Sequence, residues 1–252
     1  LGESFGIAIF NIPYHQKLLP ESSSAYMGLA DIHQYGPSQT AFDDADLIMM
    51  IGGRLDNQMN FGNPPLFPNS CELVCVNGSF EEIEFNRAAD HVLLSDPGAF
   101  FDSILKLQSE PDALRFDERW IERHQMLRDD WVSKQLELLD KENLVHQGVH
   151  PLQLALDVQR SMKKSDWLII DGGNTHFWSE IAVNIAGRRG VELGGILHPG
   201  SYSMLGVGVS FALSAKNNNP NSNVILISGD GAFLSGGMSI ETAFFENKPI
   251  VV

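Results

Sequence analysis

Apolar runs of four or five residues recur along this chain, each closed off by glycine, an acid or a polar turn. In the first half they are Gly6-Ile-Ala-Ile-Phe10, Leu47-Ile-Met-Met-Ile51, Leu73-Val-Cys-Val76 and His91-Val-Leu-Leu94. In the second half they are Trp167-Leu-Ile-Ile170 and Val224-Ile-Leu-Ile227. Such runs are too short for helices and suit buried strands. Helices are expected between them at Gln39–Ala45, Phe80–Phe85 and Pro97–Leu107. Another opens at Pro151, a residue suited to a first helical position. Leu152, Ala155 and Leu156 give it an apolar face, and Lys163 and Lys164 suit its last turn. Near the end Ile240, Ala243 and Phe244 fall at helical spacing, Asn247 and Pro249 stop that helix, and Pro249–Val252 opens one more strand. Short strands alternating with helices predict parallel α/β sheets. The charged stretch Asp112–Glu142, with Trp120, Ile121 and Trp131 among acids and bases, reads as a connecting helix. The expected organisation is a first domain over 1–110, a helical linker over 111–149 and a second domain over 150–252.

Composition narrows the partners. The 252 residues carry a formal net charge of −15, which argues against nucleic acid and anionic membrane surfaces. No signal peptide or membrane-spanning run is visible, and a cytoplasmic protein is expected. Cys71 and Cys75 are the two cysteines. Four residues apart beside one strand, they lie too far apart to bridge and read as buried thiols. The chain opens at Leu1 without Met, inside what looks like an ongoing domain, so it reads as an internal piece of a longer protein.

Three glycine turns carry the candidate chemistry. Asp171-Gly-Gly-Asn-Thr-His-Phe-Trp178 follows one strand directly, and Gly229-Asp230-Gly231 follows another. The third, Gly206-Val-Gly208, opens a helix with a small apolar face. The carboxyl ends of parallel strands are where such sheets bind ligands. Asp230 is a hard oxygen ligand suited to Mg²⁺ or Ca²⁺, and the amides after it can hold phosphate oxygens. His176, beside aromatics, reads as structural. No G-x-G-x-x-G follows the first strand of either domain, which disfavours a nicotinamide dehydrogenase.

Taken in order, these turns resemble the thiamine diphosphate (ThDP) enzymes of the acetohydroxyacid synthase, 2-hydroxyacyl-CoA lyase and oxalyl-CoA decarboxylase type. GDGAF and the following SGGMSIETAFFENKPI carry the likeness at the end of the chain. Leu19-Pro-Glu21, Tyr26-Met-Gly-Leu29 with His33, Ala45-Asp46 to Asp56, and Asn60–Phe67 carry it in the first half. The resemblance implies two Rossmann-like three-layer α/β/α domains with parallel sheets: a central domain and an incomplete diphosphate-binding domain. It implies bound ThDP and Mg²⁺, with Gly173, Asn174, Thr175, Gly229, Asp230, Gly231 and Ala232 at the diphosphate and Asp230 on the metal. By position, Ser203 offers a carbonyl to the aminopyrimidine and Leu205 props the cofactor in its bent form. A second metal ligand is expected just beyond Val252. The family's catalytic glutamate belongs to an N-terminal domain of a partner subunit, so no catalytic residue is assigned and the 252 residues alone are expected to be inactive. The resemblance implies FAD or an adenine nucleotide in the central domain, with Gly52, Gly53, Arg54, Asn77 and Asp96 at matching strand ends, or else a scaffold domain whose site is empty. Asn77 stands where an acid usually grips a ribose. The implied reaction makes or breaks a C–C bond next to a carbonyl in 2-keto or 2-hydroxyacyl substrates. It is acetolactate synthase-like, with a 2-hydroxyacyl-CoA lyase or oxalyl-CoA decarboxylase-like activity as the alternative. A non-catalytic paralogue is a further reading. A homodimer or homotetramer with its site at a subunit interface is implied as well.

Overall fold

The computed structural model describes residues 2–12, 23–31, 36–83, 85–107, 118–145, 148–187 and 193–252. Leu19-Pro-Glu21, His33 and the first part of the expected linker helix lie outside them. The chain divides into two compact units, Leu1–Trp131 and Val132–Val252.

In the first unit, helix α1 (Gly2–Phe5) leads to strand β1 (Ile9–Asn11), which pairs in parallel with β2 (Tyr26–Leu29). The expected strand at Gly6–Phe10 therefore starts three residues late, because Gly6 adopts a positive φ of 66° that ends α1 in a turn. Helix α2 (Pro37–Asp43) precedes β3 (Leu47–Ile51). Strands β3, β4 (Glu72–Asn77) and β5 (His91–Leu94) then form a parallel sheet in that order. Helix α3 (Phe80–Ile83) joins β4 to β5, and α4 (Pro97–Leu107) follows β5. The core is built from Phe42, Met50, Leu55, Met59, Leu66, Phe67, Leu73 and Ile83. β5 is not the buried strand its composition suggests: all four residues are exposed, and among the described residues it sits at the sheet edge with β4 as its one partner strand. Cys71 and Cys75 are free and buried, and burial raises both thiol pKa values.

Helix α5 (Glu118–Val145) is the connecting helix, and it runs through the division between the two units. Its polar sequence is held to the first unit by specific contacts. Arg128 donates to the Tyr26 carbonyl, and Arg123 pairs with Asp44 at 2.9 Å. His124 is buried against Trp120, with ring centroids 4.1 Å apart. Its Nε2 lies 3.3 Å from Asp44 Oδ2, yet neither ring nitrogen makes a well-formed hydrogen bond. Desolvation outweighs the attraction of Asp44 and lowers the His124 pKa below its ordinary 6.5. The unfolded chain therefore binds the proton more readily. Stability from this group is fully present above pH 6.5 and falls as the pH drops from there towards the folded value. Urea titrations of the wild type and His124→Gln, compared from pH 7.5 down to 5.5, should show a shallower decline for the variant, because the variant lacks the group that takes up the proton on unfolding.

The second unit opens with α6 (Pro151–Ser161), capped by His150, whose Nδ1 accepts from Leu152 N–H at 3.2 Å. Lys163 and Lys164 lie beyond its end; Arg160 is the basic residue of the last turn. Strand β6 (Trp167–Ile170) is central, with β7 (Gly195–Leu197) on one side and β8 (Val224–Ile227) on the other, all parallel. Helix α7 (Asn174–Gly187) follows β6, and α8 (Gly208–Asn218) leads into β8. Neither β2 nor β7 is signalled by a long apolar run. Past β8 come α9 (Asp230–Gly236), a single 3₁₀ turn over Gly237–Ser239 and α10 (Ile240–Phe245). The expected helix with Ile240, Ala243 and Phe244 on its face is α10, which ends at Phe245, ahead of Asn247 and Pro249; α9, which starts at Asp230 itself, is a separate short helix before it. The expected strand at Pro249–Val252 is reduced to one parallel bridge, Val251 to Ile225. Ile169, Val209, Ala212, Leu213, Val224 and Leu226 form the core here.

Candidate functional site

The chain passes from β6 to β7 on one side and then crosses to β8 on the other. The carboxyl ends of β6 and β8 thus border a crevice of the kind in which open α/β sheets bind ligands. Asp171 stands at the end of β6 and is buried. Its Oδ1 accepts from Gly172 N–H at 2.8 Å and Gly206 N–H at 3.0 Å. Its Oδ2 accepts from Gly208 N–H at 3.2 Å and Ser228 O–H at 3.1 Å. One carboxylate therefore ties together the turn after β6, the turn that opens α8 and the residue before Gly229. Its own N–H donates to the Ile227 carbonyl at 3.0 Å, so the two strand ends are joined by backbone as well.

Around this hub the candidate residues gather. Gly173 has φ 91°, a left-handed conformation that turns the chain into α7, with Asn174 as that helix's first residue. Thr175 Oγ1 lies over Gly229: a methyl placed on that glycine would sit 3.8 Å from it. A methyl on Gly173 would sit 3.5 Å from Leu205 Cδ2, so Leu205 overhangs the first turn. Ser203 has a left-handed backbone (φ 48°) at the end of a 3₁₀ turn over Gly200–Tyr202. Asp230 is exposed, and its Oδ1 accepts from Gly231 N–H at 2.8 Å. Nothing lies within 4 Å of where a Gly231 side chain would begin, and Ala232 is buried just beyond. The three turns thus share one end of one sheet, with an exposed carboxylate and open space at the last of them. That arrangement can take an anionic ligand on backbone amides together with a divalent cation on Asp230.

Close packing holds the third turn. A methyl on Gly236 would lie 1.8 Å from the Gly206 carbonyl oxygen, which no rotamer change relieves because both partners are backbone. Gly236→Ala should destabilise the second unit by about 2 kcal/mol through forced backbone displacement. In calorimetry that lowers the melting midpoint by roughly 4–8 °C; an unchanged midpoint would contradict the packing.

The sequence signals neither the anchoring role of Asp171 nor that of Ser228; an acid directly after a strand and before two glycines is the only hint. His176 is also not the isolated structural histidine expected. Its ring lies tilted beside that of His198, centroids 5.3 Å apart, and its Nε2 is 4.0 Å from Glu180 Oε1.

In the first unit Arg54, Asn77 and Asp96, expected to meet a nucleotide, already engage protein neighbours. Asn77 donates to the Gly53 carbonyl at 3.3 Å and accepts from Ser79 N–H at 3.1 Å. Arg54 forms a two-pronged pair with Glu82, which lowers the Glu82 pKa, and lies over the Phe85 ring at 5.2 Å. Asp96 caps α4 by accepting from Ala99 N–H at 3.1 Å.

Residues 1–104 match the model of the thiamine pyrophosphate enzyme central domain, and residues 171–252 match that of the thiamine pyrophosphate enzyme C-terminal TPP binding domain. The chain belongs to the thiamine pyrophosphate enzyme family. It is 25% identical over 260 residues to 2-hydroxyacyl-CoA lyase 1 of Mus musculus, covering 100% of this chain and 42% of that protein. It is 28% identical over 216 residues to 2-hydroxyacyl-CoA lyase 2 of Homo sapiens, covering 84% and 32%. The 2-hydroxyacyl-CoA lyase of Saccharomyces cerevisiae is 26% identical over 255 residues, covering 96% and 41%. The chain spans less than half the length of these relatives. Among the described residues no helix is long and apolar enough to cross a membrane.

Proposed function

We propose that the whole protein is a ThDP- and Mg²⁺-dependent lyase that breaks the bond between the carbonyl carbon and C2 of a 2-hydroxyacyl thioester. The observation that carries this reading is the meeting of three turns on Asp171, which leaves Asp230 exposed beside the open space at Gly231. Bound ThDP would supply an electron sink at the bond that breaks. The amides of Gly229–Ala232, with Asn174 and Thr175, would hold the diphosphate, and Asp230 would hold Mg²⁺. The Ser203 carbonyl and the Leu205 side chain would set the cofactor's orientation. The named relatives favour the lyase over the acetolactate synthase expected from the commonest activity of the architecture.

An oligomer is part of the proposal. Tyr202, Leu234, Met238 and Phe244 are each more than 80% exposed, and two of them flank the glycine contact between residues 206 and 236. Large exposed apolar groups beside a ligand site suit a face covered by another domain or subunit. FAD or an adenine nucleotide in the central domain has less support, since Arg54, Asn77 and Asp96 already engage their own neighbours.

The test uses the full-length protein, a 2-hydroxyacyl-CoA and, separately, pyruvate, each with and without ThDP and Mg²⁺. Cofactor-dependent release of an aldehyde one carbon shorter is the expected result. Acetolactate from pyruvate would replace the lyase by the synthase. No product together with no calorimetric ThDP binding would establish the non-catalytic paralogue instead.

A further inference from the structure

His176 and Glu180 stand four residues apart on α7, and therefore on one face of that helix. His198 follows β7 immediately, and β7 is the parallel neighbour of β6, whose end feeds α7. The topology thus delivers two imidazoles and a carboxylate to one place from two separate elements. One ligand atom from each of the three lies within 4.8 Å of the others. His176 and Glu180 are buried, and His198 is half-buried. Donors on a single tetrahedral ion sit about 3.4 Å apart, so closing the set takes side-chain movements on the order of an ångström.

We propose that His176, Glu180 and His198 form a site for one divalent transition-metal ion of the Zn²⁺ or Co²⁺ type, separate from the Mg²⁺ ligand Asp230. Two imidazole nitrogens and one carboxylate select such ions over Mg²⁺, which prefers an all-oxygen shell. Three protein ligands leave a coordination position for water or an added ligand. The geometry also fixes a consequence. His198 Nδ1 accepts from Gly200 N–H at 3.2 Å. Ligation through Nδ1 takes that lone pair, and ligation through Nε2 moves the ring proton to Nδ1. Either way the Gly200 bond is given up. Metal uptake is therefore coupled to the Gly200–Tyr202 turn, which leads directly to Ser203 and Leu205.

The experiment is equilibrium dialysis of the full-length protein, stripped of metal, against Zn²⁺, Co²⁺ or Mg²⁺ without ThDP. One equivalent of Zn²⁺ or Co²⁺ is expected, with visible Co²⁺ absorption reporting nitrogen ligation. Asp230→Asn and the exposed-site control His91→Gln should leave this uptake unchanged. His198→Gln and Glu180→Gln should each weaken it by more than the roughly 10–100-fold typical of losing an outer-shell partner. Should the buried Glu180 variant fail to fold, the half-buried His198 variant carries the test. Uptake that survives His198→Gln, or no stoichiometric uptake by the wild type, overturns the proposal. Loss of uptake in Asp230→Asn overturns it too, since the ion would then belong to the other site.

Discussion

Asp171→Ala is expected to lower the stability of the second unit by about 4 kcal/mol and to abolish ThDP binding with it. The side chain is buried and accepts four hydrogen bonds, three from backbone N–H groups and one from Ser228. Hydrogen bonds to a charged acceptor contribute roughly 1.5–3 kcal/mol each, and a donor left buried without a partner costs about 1–3 kcal/mol. These contributions do not simply add, because the freed turns relax and admit water, so 4 kcal/mol sits well below the sum. For a chain of this size it corresponds to a fall of roughly 8–16 °C in the melting midpoint. Asp171→Asn is the sharper probe. The amide keeps one accepting oxygen but turns an NH₂ group towards donors, either the glycine N–H pair or the Gly208 and Ser228 pair. It should lose about half as much stability and still weaken cofactor binding. If Asp171→Ala melted like the wild type, Asp171 would not be what holds the three turns together.

How far the sequence foretells this depends on how local each feature is. Strands β3, β5, β6 and β8 fall on the expected apolar runs residue for residue, and α4 spans the expected Pro97–Leu107. Each is bounded by its own turn residues, so the signal and the structure occupy the same few positions. The exposure of β5 is different. Val92, Leu93 and Leu94 have the composition of a buried strand, but burial depends on what the rest of the chain lays over them. The start of β1 is displaced by a backbone conformation at Gly6 that no apolar pattern reveals. Asp171 is the clearest case at the site. Its partners Gly206, Gly208 and Ser228 lie 35 to 57 residues ahead in sequence, so its meaning exists only once β6, β7 and β8 are ordered. The pairing of His176 with His198 is hidden for the same reason. Both histidines are visible in the sequence, and their proximity is set by the register of β6 with β7.

Asp230→Asn separates binding from folding, and the contrast with Asp171 gives it its force. Asp230 is exposed, begins α9, and makes one described side-chain contact, with the N–H of its own neighbour Gly231. An asparagine keeps an oxygen for that contact, so the melting midpoint should stay within the scatter expected for a surface change, about 0.5 kcal/mol. What the amide lacks is the negative charge that a hard divalent cation requires. In the proposed site this carboxylate would hold Mg²⁺, whose charge would offset that of the diphosphate. Its removal should weaken Mg²⁺-dependent ThDP binding more than 100-fold, or about 2.7 kcal/mol and upward. Calorimetric titration of the full-length protein with ThDP, at fixed Mg²⁺ and then without it, measures both halves of the claim. In the wild type, omitting Mg²⁺ should cost as much affinity as the substitution does. In Asp230→Asn, omitting it should cost little more, because metal and carboxylate act as one unit and the two losses do not add. Additive losses would mean that the cation is held elsewhere, and an unaffected affinity would remove Asp230 from the site altogether.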